Sequence, residues 1–481
     1  MKNIFNRGGL GFIAALLCIM TMVNAKVETA GWDKLSSSCK EKLFPVTSGG
    51  SKDEKVSCTF HDKVNDLIIV AGNSTSEDYA PAANDHAFAY ALDMDGNWVW
   101  GKFFYNVSFA ISTISGCTVD ANGNVVFLGM GNQVPVIMEL APKDGQVLKF
   151  VSFDKIGSTD TSMPWYGTYG AIYHDIKDAD DGQPYYYASF VMENALQMLK
   201  VNSATYEIKW NYQYKYEGDT TGADWKQKKI PGFLHQDPND DTRMYLLGQQ
   251  SQRASVIKFQ KRDMTVDWKL EITDPDATGL AAKLATSTSA MNEIYGYVQP
   301  PESNQIYACG YRWDKPLLEK SRTASMFQMD DEGDVTVLYA FGDRTTLTQH
   351  DVCRAVAYDD ANQEILFALE ATSPSLRPEY DDYAQYSAAN TDVTIIRMKA
   401  GGKLAGAYNI NFYDASISIG IGANALFTKD GEYIFGTQSW GYYTKYQNKT
   451  YNATAVQLDT NVFRYIPDSS ECFYQASMNA A

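Results

Sequence analysis

Residues 116–129 read Gly116-Cys-Thr-Val-Asp-Ala-Asn-Gly-Asn-Val-Val-Phe-Leu-Gly129. Two short strand-forming runs flank Asp120-Ala-Asn-Gly-Asn124, where Asp and Asn supply local hydrogen bonds and Gly123 supplies a positive φ. The stretch is a β-hairpin, and its second strand belongs to a series. Ile68–Gly72, Val125–Gly129, Tyr185–Phe190, Met244–Gly248, Ile306–Gly310, Ile365–Leu369 and Tyr433–Gly436 start roughly 57 to 68 residues apart. A repeat of this length, sustained along the chain, argues for one repeat architecture rather than several unrelated domains.

The hairpin recurs in the last repeat as Ala423–Thr428, Lys429-Asp-Gly431 and Glu432–Phe435. A third strand and a second tight turn follow each hairpin: Ala87–Leu92 before Asp93-Met-Asp-Gly-Asn97, Val136–Leu140 before Lys143-Asp-Gly145, Thr394–Met398 before Lys399-Ala-Gly-Gly402, and Ala455–Leu458 before Asp459. A fourth strand closes the unit, with Trp100, Trp210, Trp268 or Phe463 near its start. Four antiparallel strands per unit, repeated seven times, predict an all-β chain folded as a seven-bladed β-propeller of four-stranded antiparallel blades. Paired sandwiches would not give equal four-strand units, and solenoid repeats are shorter. Helical periodicity is confined to short turns in Trp32–Leu43 and Thr278–Ala285.

The text of residues 116–129, with Ala91-Leu-Asp-Met-Asp-Gly-Asn-Trp-Val-Trp-Gly-Lys-Phe-Phe104, resembles the repeats of quinoprotein-like and related secreted propellers. The resemblance runs from about Lys55 to Pro467 and implies fold. The cofactor and calcium residues of quinoprotein dehydrogenases find no matching positions, so no cofactor is carried over. The aspartate-box, kelch and YWTD patterns of other propellers are absent from the sequence.

The N-terminus reads as a secretory signal over residues 1–25: Lys2 and Arg7, an apolar run from Gly11 to Val23, and Val23-Asn-Ala25 as the cleavage site. The expected layout continues with an N-terminal segment over 26–54, the ring over 55–467 and a tail over 468–481. Loss of Lys2 and Arg7 takes the formal charge from −17 to −19. So acidic a chain repels phosphate backbones and anionic headgroups, which disfavours nucleic acid and membranes as partners. Neither insertion after signal cleavage nor a lipid-anchor tail is expected.

Six cysteines remain beyond the signal, and in an exported chain they read as disulfides. Cys39 and Cys472 flank the repeats and are placed to close the ring; Cys58 and Cys117 occupy matching first strands of adjacent blades, and Cys309 with Cys353 joins blades 5 and 6. Asn73, Asn106, Asn448 and Asn452 are glycosylation sequons, expected on the long-loop face of blades 7 and 1.

Chemistry-bearing motifs are few. His61, His174 and His235 end first strands in separate blades and read as turn caps rather than one metal site. The aspartates of Asp93–Asn97, Asp178–Gly182 and Asp330–Asp334 lack a full calcium-loop spacing, so no metal is expected. No nucleophile elbow, HExxH, phosphate loop or CxxC is present; Asp381 and Asp382 are isolated carboxylates, and no catalytic residue is assigned.

The loops from strand two to three and from blade to blade are long: Tyr311–Ser325, Thr372–Asp392 and Thr437–Thr454 within blades, Asp154–Tyr169, Lys215–Pro231 and Ile272–Glu293 between them. They are rich in aromatics, including Trp440, Tyr442 and Tyr443. Trp165, Tyr166, Trp225, Trp313, Tyr380 and Tyr383 are the candidate binding residues, suited to stacking on a sugar or burial in a protein interface. The expected function is a secreted, non-enzymatic module binding an extracellular glycan or protein. The alternatives are an enzyme acting on carbohydrate or another small polar substrate in the central channel, and a self-assembling subunit of a matrix or filament.

Overall fold

Ile68, Ile69, Val70 and Ala71 follow one another in one strand and are all buried. Strand side chains alternate between two faces, so such a run means that both faces are covered. The strands therefore stand in sheets packed face to face around a ring. The computed structural model describes residues 43–48, 54–75, 86–104, 111–131, 134–153, 170–192, 195–214, 233–250, 253–271, 293–313, 322–341, 351–371, 392–399, 402–410, 418–440, 458–465 and 467.

Strand β1 (Leu43–Ser48) precedes the first repeat. Blade 1 is β2 (Glu54–Asp62), β3 (Leu67–Ser74), β4 (His86–Asp93) and β5 (Trp98–Phe104). Blade 2 is β6 (Thr113–Val119), β7 (Val125–Gly131), β8 (Val134–Leu140) and β9 (Val147–Ser152); blade 3 is β10 (Gly170–Asp175), β11 (Tyr185–Met192), β12 (Ala195–Asn202) and β13 (Ile208–Tyr214). Blade 4 is β14 (Phe233–Gln236), β15 (Arg243–Gln250), β16 (Arg253–Gln260) and β17 (Val266–Glu271); blade 5 is β18 (Glu293–Val298), β19 (Ile306–Trp313), β20 (Arg322–Met329) and β21 (Val335–Phe341). Blade 6 is β22 (Val352–Asp359), β23 (Glu364–Ala371), β24 (Asp392–Lys399) and β25 (Leu404–Ile410). Blade 7 holds β26 (Ser418–Lys429), β27 (Glu432–Trp440) and β28 (Leu458–Tyr465), with β1 as its fourth strand. The chain is a seven-bladed β-propeller of four-stranded antiparallel sheets.

The ring closes through the N-terminal segment: β1 pairs antiparallel with β28 from Leu43↔Tyr465 to Ser48↔Thr460. A terminal segment thus supplies a strand to the joining blade, where an unfilled place would leave a sheet edge open. It also corrects the sequence reading of that blade. Phe463 lies on the third strand, and the fourth comes from 43–48 rather than from the residues after Asp459. Leu43, expected at the end of a helical turn, opens β1.

Among the described residues, an apolar cluster fills each of the seven gaps between blades. Ile69, Phe127 and Met138 belong to the blade 1–2 cluster, and Ile68, Val70, Ile434 and Val462 to the one that seals blade 7 against blade 1. Neighbours in sequence thus serve opposite interfaces. Tryptophans add polar ties at the short-turn face. Trp100 Nε1 donates to the Pro142 carbonyl (2.7 Å) and Trp210 Nε1 to the Lys261 carbonyl (3.0 Å), each in the three-to-four turn of the next blade.

The glycine that ends many second strands has a steric cause. In blades 1, 2 and 5 the first strand carries a β-bulge, and the facing glycine is Gly72, Gly129 or Gly310. A Cβ on Gly310 would sit 1.6 Å from the Glu293 carbonyl oxygen, and one on Gly72 would sit 1.8 Å from that of Lys55. Gly310→Ala is expected to cost about 3 kcal/mol, the upper range for overpacking, because backbone cannot step aside. Gly182→Asn, whose Cβ meets nothing at a positive φ that Asn tolerates, is the near-neutral control. Equal urea midpoints for the two variants would contradict the bulge account.

The disulfides Cys58–Cys117 and Cys309–Cys353 form as expected, each between adjacent blades. Cys39 and Cys472 lie outside the described residues, as does the Thr278–Ala285 segment.

Candidate functional site

The short-turn face is occupied by its own structure. Asp120 Oδ1 accepts from the Asn122 and Asn124 amides, both at 2.8 Å, and Oδ2 accepts from Asn124 Nδ2. Asp93 Oδ1 and Asp330 Oδ1 likewise each accept from two amides of their own turns, so these aspartates are engaged as turn caps. The three histidines diverge. His61 meets Asp66 of its own turn (2.9 Å), His174 meets Ser203 across its blade (3.2 Å), and His235 meets Gln299 of the next blade (2.6 Å). Only His61 caps its turn in the sense expected.

A buried ionic lattice ties blades 3 and 4 together at that face. Lys200 Nζ lies 2.9 Å from Asp178 Oδ2 with both side chains buried, and Tyr187 donates to the same carboxylate. Lys261 pairs with Asp175 and donates to the Asp241 carbonyl (2.6 Å). Blade 4 repeats the first motif as Lys258, Asp237 and Tyr245.

Among the described residues, first strands are paired on one side only, and their other edges face the central channel. The channel holds a cavity of about 140 Å³ lined by Ser57, Thr59, Cys117, Ala171, Leu234 and Tyr297 among others. Its wall includes the Cys58–Cys117 disulfide, and Tyr297 donates to the Leu234 carbonyl (3.0 Å).

Ionisable and aromatic side chains converge instead at the long-loop ends of blades 5 and 6. Glu293 opens β18, Arg322 opens β20, Arg354 lies near the start of β22, and Tyr311 and Glu370 lie near the ends of β19 and β23. All of these strand ends point to the face opposite the short turns. Tyr295 and Arg354 are the bulged residues of neighbouring first strands. The Arg354 guanidinium lies over the Tyr295 ring at 4.3 Å, Tyr295 stacks on Tyr311 at 5.7 Å, and Arg322 lies over Tyr311 at 4.7 Å. Glu293 Oε2 accepts from both tyrosines, at 2.7 and 3.3 Å, while Arg354 Nε pairs with Glu370 Oε2 at 3.1 Å.

Burial works against the charge on Arg354, but Glu370 chiefly, with Tyr295 and Glu293, outweighs it and raises the guanidinium's pKa. Burial likewise raises the Tyr311 pKa, with Glu293 adding to it. The site is thus an array of guanidinium donors, carboxylate acceptors and stacked phenols. The adjacent Cys309–Cys353 bridge fastens β19 to β22.

Of the expected binding residues, Trp313 is described, and it ends β19 opposite Arg322 rather than sitting in a loop. Trp165, Tyr166, Trp225, Tyr380 and Tyr383 lie outside the described residues, as do Asp381, Asp382, Tyr442 and Tyr443. Trp440 ends β27, again on a strand. Asn73 lies on β3, not in the following loop: its Oδ1 accepts from the Ile114 amide (3.2 Å) and its Nδ2 donates to Thr113 (3.4 Å). Asn106, Asn448 and Asn452 lie outside the described residues.

No protein-family model matches this chain, and no curated protein does. Solved β-propellers resemble it. The Dos1 propeller shares 8% identity over 89% of this chain and 96% of its own, with a TM-score of 0.46. A hydrazine synthase of Kuenenia stuttgartiensis shares 10% over 83% and 95%, with a TM-score of 0.44. The quinohemoprotein alcohol dehydrogenase of Comamonas testosteroni shares 9% over 93% and 82%, with a TM-score of 0.41. These are likenesses of fold, and they include the quinoprotein-like propellers that the repeat text resembles.

Proposed function

We propose that this chain is an extracellular recognition module whose ring holds a long-loop face rigid for binding a glycan or a protein. The observation that carries this reading is the Arg354–Tyr295–Tyr311–Arg322 stack, which gathers charge and aromatic surface at the loop ends of blades 5 and 6. The two interblade disulfides are typical of extracellular chains. No helix among the described residues is long and apolar enough to cross a membrane.

Glycan-array and pull-down binding with purified protein tests the reading. Substituting Trp313, Trp225 and Tyr383 singly by alanine is expected to weaken capture by about 2 kcal/mol wherever a buried anchor is lost. Unchanged binding across all three would move the contact surface elsewhere.

A second reading, self-assembly through blade edges, is favoured by one observation. Outer strands expose Trp98, Val99, Leu148, Ile208, Tyr212 and Val335 beside edges paired on one side only. A monomer in sedimentation at high concentration would set it aside.

A further inference from the structure

We propose that the Cys58–Cys117 bridge is a site of reversible thiol exchange, reached by small-molecule thiols through the central channel, whereas Cys309–Cys353 is closed to them. The difference follows from where the fold puts each bridge. Cys58 lies on β2 and Cys117 on β6, the innermost strands of blades 1 and 2, so this bridge forms part of the channel wall. Cys309 lies on β19, the second strand of blade 5, and reaches Cys353 on β22 of blade 6. That bridge is one strand removed from the channel at its blade 5 end.

Burial agrees with position. Cys309 and Cys353 are each 0% exposed, and both belong to the apolar cluster between blades 5 and 6, with Met326 and Phe367. Cys58 keeps 9% of its surface exposed, and Cys117 is only half-buried. Both line the channel cavity of about 140 Å³, beside Ser57, Phe60 and Phe233, which are themselves half-buried. An engineered cavity of about 150 Å³ takes up benzene, so a thiol smaller than benzene has room at the bond itself. Exchange needs a thiolate to reach one of the two sulfurs, and access decides which bridges react. A dithiol carried on a folded protein domain is too large for that space.

The chemistry closes without a further reactant. The thiolate of a small thiol attacks Sγ of Cys117, the residue more open to solvent. A mixed disulfide forms there as the bond to Cys58 breaks. Cys58 leaves as a thiolate and takes up the proton that the attacking thiol gave up. The sulfur of the small thiol is thereby oxidised and that of Cys58 reduced. When free thiol is removed, Cys58 attacks the mixed disulfide, expels the small thiol and restores the bridge. While the bond is open, blade 1 keeps its packing and the Asn65 and Asn73 hydrogen bonds to blade 2 but loses this covalent tie.

Treating the native chain with 2-mercaptoethanol, alkylating free thiols with iodoacetamide and mapping the peptides tests the site. Cys58 is expected to alkylate, and Cys117 to carry the thiol adduct, at least tenfold faster than Cys309 or Cys353 reacts. Reduced thioredoxin, a dithiol on a folded domain, should leave the bridge intact. Ser57→Phe, which adds a ring to the cavity lining, should slow exchange with the small thiol tenfold or more. If that variant fails to fold, the contrast between the two reagents on the unsubstituted chain decides. Equal rates at the two bridges, earlier opening of Cys309–Cys353, or exchange only in urea that unfolds the ring overturns the site. Opening by thioredoxin as fast as by 2-mercaptoethanol, or unchanged exchange in a folded Ser57→Phe, overturns the channel route. An adduct confined to Cys58 overturns the assignment of the attacked sulfur.

Discussion

Asp178→Ala is expected to destabilise the ring by about 3–5 kcal/mol, the usual cost of leaving one partner of a buried ion pair alone. Lys200 would remain buried without its carboxylate, and Tyr187 would lose its acceptor. The double variant Asp178→Leu/Lys200→Met should recover most of the loss, because apolar replacement of both charges removes the desolvation penalty with the pair. Urea midpoints measure both. A loss below about 1 kcal/mol for the single variant would mean that water reaches Lys200 and that the lattice is not the frame described above.

The same group sets an acid limit. Burial alone would raise the Asp178 pKa, but hydrogen bonds from Tyr187 and Lys200 win and hold it below the ordinary value. Glu364 is lowered in the same way by Arg397 and Lys399 against its burial. A carboxylate with a depressed folded pKa contributes stability above its unfolded pKa, about 4, and loses it as pH falls through the folded value. Stability should therefore decline below about pH 4, and less steeply in Asp178→Leu/Lys200→Met.

Removing the Cys309–Cys353 bridge by paired alanine substitution should cost about 4 kcal/mol by the chain-entropy relation for a bridge spanning 44 residues. The bridge lies beside the Arg354 bulge, so its loss should also weaken ligand capture at the loop face while the fold persists. Unchanged urea midpoints in the paired variant and in the protein under reducing conditions would show that the bridge does not restrain the chain.

Much of the architecture was legible in the sequence, because it is written in local chemistry. Asp120 to Asn124 names a hairpin, and seven recurrences of an apolar run name the blades. The Cys58–Cys117 pair followed from matching first strands of adjacent repeats, and Cys309–Cys353 from the adjacency of blades 5 and 6. Closure was legible only in outline. Nothing in Leu43-Phe-Pro-Val-Thr-Ser48 announces a partner more than four hundred residues away, so the last strand was sought after Asp459 instead.

The candidate site was nearly invisible. Glu293, Tyr295, Tyr311, Arg322, Arg354 and Glu370 are single residues on five strands of two blades, joined by stacking that no spacing encodes. One signal was available: Gly310, like Gly72 and Gly129, marks a bulge opposite, and reading it would have drawn attention to Tyr295. Blade 6 has Leu369 at that place, which hides Arg354 even from this rule.

The central claim, that the rigid ring presents its long-loop face for recognition, is tested most directly by amide hydrogen exchange with and without a captured ligand. Exchange is expected to slow in peptides covering Glu293–Val298, Ile306–Trp313 and Val352–Asp359, with the Asp120–Asn124 and Asp178–Gln183 turns unchanged. Slowing confined to those turns, or to the outer strands β5, β9 and β13, would contradict it.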